Sequence, residues 1–206
     1  MRHVRPYLSS TFGFLAVGIY LVMAIAAWAY YPAAFGPRGN WLSDLGNNFL
    51  NPDGALFYRL GGILGGSGLA GFFLTLDGRR WGERRIVRVL SVLVRTFGAI
   101  ASASFILTGV FSEDLMPMHS WFSIANYAAF GTAIALTGMA GLFGAELPKP
   151  LTVLCFAAWG FDIVSSFNGQ TRWLEWVVVG FLIAYVVGSS IAGSVSMRRI
   201  IPPRFW

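Results

Sequence analysis

The sequence predicts an all-α polytopic membrane protein, with six transmembrane helices in one integral domain over residues 1–206 and both termini cytoplasmic. Three observations carry this reading. Of the 206 residues, 56% are hydrophobic and only 12% charged, against roughly 25% charged in an ordinary soluble domain. Six apolar runs approach or exceed the length a bilayer requires, about 20 residues. The basic residues are segregated: Arg2, Arg5, Arg79, Arg80, Arg84, Arg85, Arg88, Lys149, Arg198, Arg199 and Arg204 fall on the N-terminus, the second and fourth connectors or the C-terminus. Only Arg38, Arg59 and Arg172 fall on or beside the other three connectors, and lysine and arginine mark the cytoplasmic side.

The first run, 10–31, follows MRHVRP and is too long for the 7 to 15 apolar residues of a signal peptide, so it reads as the first span. A long polar connector, YPAAFGPRGNWLSDLGNNFLNPDG, separates it from the second run at 55–76. The DGRRWGERR segment then anchors the chain on the cytoplasmic face, where it meets anionic headgroups rather than nucleic acid. The third run, 89–111, contains Arg95, placed to snorkel toward the cytoplasm. GVFSEDLMPMHS links it to the fourth run at 120–144, and runs at 151–168 and 173–197 complete the six. Cys155 is alone within an apolar run, so neither a disulfide framework nor a thiolate metal cluster is available.

A shift of 70 residues lays WLSDLGNNFLNPDGALFYRLGGILGGSGLAGFFL over FSEDLMPMHSWFSIANYAAFGTAIALTGMAGLFG without a gap. GSSIAG at 188–193 echoes GSGLAG at 66–71 and LTGMAG at 136–141. The pattern suggests three repeated helical hairpins, an internal symmetry known among transporters. It puts Asp44 and Asp114 in equivalent positions, each before an even-numbered helix, where a carboxylate can cap backbone amides. Small residues four apart, such as Gly66 and Ala70, allow close helix approach.

The SDLG of 43–46, then Pro52 and Phe57 leading into a glycine-rich helix, then GVFSED at 109–114 followed by His119, together resemble the membrane family catalogued as domain of unknown function 998. The resemblance covers roughly residues 40 to 145. It implies an architecture of about six helices, brings no established activity, and directs attention to Ser43, Asp44, Gly46, Asp114 and His119.

The positive-inside pattern places the polar connectors outside, so the expected site is an outward-facing pocket. Asp44, Glu113, Asp114, His119 and Asp162 are its candidates for acid–base chemistry. Ser43, Asn47, Arg59, Ser123 and Asn126 are its candidate ligand contacts; His119, Ser123 and Asn126 share one helical face by their spacing. Ionisable groups inside a bilayer are costly and usually face a bundle interior or a water-filled cavity, which singles out Asp162, free or ion-paired with Arg59 or Arg172. No metal site is assigned, because one histidine among carboxylates shows no fixed ligand spacing. A haem held by two histidines is excluded by His3 lying on the opposite side, and the sequence leaves the cofactor open. A nucleophile-elbow pattern G-x-S-x-G is absent.

Three functions fit these residues. One is binding or modification of a lipid or other amphiphile by carboxylate–histidine chemistry, with Trp41, Phe49, Phe57, Trp121 and Phe122 either holding the tail or forming an interfacial belt. Another is a proton-coupled small-solute transporter. The third is a non-catalytic structural or accessory subunit. The expected setting is the cell membrane, with membrane lipid as partner and no nucleic acid.

Overall fold

Each apolar run folds as a helix, because in a segment of this composition only intrachain hydrogen bonds satisfy the backbone. The computed structural model describes residues 5–76, 81–168 and 171–198. The helices are α1 (Arg5–Ala29), α2 (Ala55–Thr75), α3 (Arg85–Val110), α4 (Met118–Leu142), α5 (Lys149–Phe167) and α6 (Arg172–Arg198). A short 3-10 turn, Leu42–Gly46, interrupts the α1–α2 connector. Arg2, His3, Arg79, Arg80, Gly169, Arg199 and Arg204 lie outside the described residues.

Consecutive helices pack side by side, and α6 returns to α1, so the six close into a ring. Ser10 of α1 donates its hydroxyl to the Ser190 carbonyl of α6 at 2.8 Å where the ring shuts. Buried aromatic edges fill the centre: Phe73 of α2 meets Phe130 of α4 at 5.7 Å, and Phe130 meets Tyr185 of α6 at 6.0 Å. The Tyr185 hydroxyl is satisfied by Thr137 at 2.9 Å. Outward, large apolar side chains such as Leu15, Val22, Ile25, Val92 and Val153 are exposed, as expected of helices whose solvent is lipid.

Four of the six helices, α1, α3, α5 and α6, are long and apolar enough to cross a membrane. The other two, α2 and α4, fall outside that set. Neither contains valine, and both are rich in glycine, alanine, serine and threonine, which admits close neighbours. In α2, a Cβ at Gly65 would lie 3.2 Å from the Ala16 carbonyl of α1, and one at Gly62 would lie 3.4 Å from the Gly109 Cα of α3. Helix α2 is thus clamped on both sides.

The 70-residue repeat matches helix to helix but not connector to connector. Residues 48–54 are non-helical, whereas their counterparts 118–124 are the first turns of α4. Asp44 consequently sits within the 3-10 turn well ahead of α2, while Asp114 sits in the short turn directly before α4.

Candidate functional site

The α1–α2, α3–α4 and α5–α6 connectors share one end of the ring, and most of the acidic side chains gather there. The long α1–α2 connector folds back over this end. Asn51, fully buried, donates its amide to the Ala27 carbonyl at 3.0 Å and the Leu45 carbonyl at 2.9 Å, fastening the 3-10 turn to the end of α1. Leu42 and Leu45 pack with Ala27, Tyr58 and Trp176 beneath it. The Trp176 indole of α6 donates to the Asn40 carbonyl at 3.1 Å.

Asp44 is buried in this cover and accepts from the Trp41 backbone amide at 3.1 Å and the Asn40 side chain at 3.4 Å. Glu113, from the α3–α4 connector, reaches Asp44 and accepts from Asn47 at 3.3 Å. Burial first, and the Asp44 carboxylate second, push Glu113 up to about 7. Glu175, in the first turn of α6, accepts the Leu42 backbone amide at 2.6 Å and also faces the Ser43 amide, so Ser43 contributes through its backbone. Asp44, Glu113 and Glu175 act on one another electrostatically, and among the described residues their hydrogen-bond donors are backbone amides and asparagine side chains. Among the described residues, no group of three or more His, Cys, Asp or Glu side chains has the arrangement of a metal site.

Asp114 and His119 belong to a neighbouring network. Asp114 accepts from Ser112 at 2.6 Å and Asn48 at 2.9 Å; against the upward push of partial burial, these bonds hold it below the ordinary carboxylate value. His119 donates Nδ1–H to the Phe111 carbonyl at 2.9 Å, at the C-terminus of α3. A carbonyl can only accept, which fixes that tautomer. Arg59 caps the same helix end, donating to the Gly109 and Val110 carbonyls at 3.2 Å each. Positive or donor groups at a helix C-terminus satisfy orphan carbonyls. Arg59 is therefore engaged with α3 and not with Asp162.

Asp162, buried on α5, faces Gly131 of α4, where any Cβ would collide with its carboxylate. Ser123 is half-buried on α4. Asn126, one face further along, points elsewhere: it lines a central crevice of about 90 Å³ between α1, α2, α3, α4 and α6. That volume admits several waters or an alkyl segment. Tyr20, Tyr58, Asn126 and Tyr127 lie nearer the acidic end, and Leu69, Phe130, Leu182 and Val186 lie deeper. The Tyr20 and Tyr58 hydroxyls bond each other at 3.2 Å. Tyr58 packs against Leu42 and Leu45, which places the crevice beneath the turn that carries Asp44. Asn126 Oδ1 is buried with no hydrogen-bond partner. Phe49 and Trp121 are exposed and take no part in the crevice.

Glu175 and the three tyrosines are absent from the sequence-derived set. Glu175 carries the same signal as Asp162, an acidic residue inside an apolar run, and could have been found by it. The tyrosines could not, since tyrosine in such runs commonly marks an interface.

A helix bundle with four membrane-capable helices and polar groups turned inward belongs to the class of integral membrane proteins. No family model matches the chain, and no curated protein or solved structure is similar to it.

Proposed function

We propose that the chain crosses the cell membrane six times with both termini cytoplasmic, and that its ring holds a lipid-like amphiphile in the central crevice, entered from the outward, acidic end. The observation that carries this is the crevice itself: aliphatic and aromatic at depth, phenolic and amide-lined toward the carboxylates, with one buried acceptor left open. An apolar pocket with a few convergent polar groups is the usual form of a small-molecule site.

Binding fits the geometry better than carboxylate–histidine catalysis, because His119 is not among the residues that line the crevice. Membership in the family that residues 40 to 145 resemble is part of the same proposal and adds no activity to it. A second reading, proton-coupled transport, draws on Asp162, a carboxylate buried on α5.

Native mass spectrometry of the purified protein tests the first reading. The wild type carries a co-purifying amphiphile, and Leu182→Trp, which fills the crevice, loses it while remaining helical. Equal retention by both proteins would refute a crevice site.

A further inference from the structure

The walls of the crevice specify the head of the molecule they hold. Three carboxylates, Asp44, Glu113 and Glu175, converge from three separate segments, and among the described residues the hydrogen bonds they accept come from backbone amides and asparagine side chains, not from a basic group. Carboxylates drawn out of water are costly without a counter-charge, and Tyr58, which lines the crevice, packs against Leu42 and Leu45 of the turn that Glu175 holds. Independently, Asn126 is 7% exposed, lines the crevice, and has an Oδ1 with no partner. An open carbonyl oxygen requires a donor.

We propose, resting on the amphiphile reading, that the ligand is cationic, an amphiphile with a primary ammonium head, which donates to Asn126 Oδ1 and lies beneath the carboxylate cluster while its alkyl chain occupies the deeper crevice. An ammonium group supplies both missing features at once: three donors and a positive charge. A neutral hydroxyl head supplies one donor and no charge. An anionic head is repelled. The carboxylates lack the arrangement of a metal site among the described residues, and an organic cation tolerates that wider spacing.

The test compares dodecylamine with dodecanol, identical in chain and different in head, by thermal shift of the full chain in neutral-detergent micelles. Dodecylamine should bind at least about tenfold more tightly, as expected for a hydrogen bond to a charged group. Glu113→Gln and Glu175→Gln should each shrink that ratio while leaving dodecanol binding unchanged. Leu182→Trp should weaken both ligands, which separates crevice binding from partition into the micelle. The Glu113 variant keeps the test decisive if Glu175→Gln fails to fold. Equal binding of amine and alcohol, both sensitive to Leu182→Trp, would overturn the cationic head and leave the amphiphile reading standing. An amine preference unchanged in the Glu113 variant would also overturn it. Binding of neither ligand to the wild type would overturn both.

Discussion

Glu113 is held between two effects of the same sign: burial and the neighbouring Asp44 carboxylate both favour its protonated form, raising it to about 7 from an ordinary value near 4.5. A carboxyl raised on folding stabilises the fold fully below its unfolded value, and that stability is lost as pH climbs through the folded value. The melting temperature of the wild type should therefore fall between about pH 5 and pH 8. Glu113→Gln should flatten that decline. A fluorescence melt across the range measures it, and an unchanged slope would contradict the assignment. His119 makes the opposite kind of contribution. As a cap on α3, its loss in His119→Ala should cost about 1 kcal/mol of stability and leave ligand binding unchanged.

The helices were legible in the sequence because lipid imposes length and composition, and every expected run appears within a few residues of its place. The connectors were not. The 3-10 turn of Leu42–Gly46 depends on Asp44 bonding back to Trp41 and on Asn51 reaching two distant carbonyls, contacts between positions that no periodicity relates. The expected meeting of His119 with the carboxylates likewise turned on side-chain direction: His119 faces α3 while Asn126, on the same helix, faces the crevice. At the level of packing, glycine position decides tolerance. A Cβ at Gly66 would lie 2.7 Å from Ile106 and 3.3 Å from the Ser102 carbonyl, whereas one at Gly160 meets nothing within 4 Å. Gly66→Val should therefore destabilise the α2–α3 seam by about 1–3 kcal/mol, and Gly160→Val should be close to neutral. Paired thermal melts distinguish them.

The ring ties these parts to one direction. The acidic cover and the crevice's Tyr20, Tyr58, Asn126 and Tyr127 lie toward the end that carries the three odd connectors, while the Arg84 guanidinium and Trp81 carbonyl bond the fourth connector at the opposite end. Whether an amphiphile enters from outside depends on which end faces the cytoplasm, and on α2 and α4 crossing the membrane despite their small residues. Cysteine accessibility in intact cells measures the orientation and the crossing by α2. A membrane-impermeant maleimide should label Asn48→Cys from outside and reach Gly82→Cys only after the membrane is permeabilised. Labelling of Gly82→Cys in intact cells, with Asn48→Cys protected, would invert the protein and place the crevice mouth in the cytoplasm.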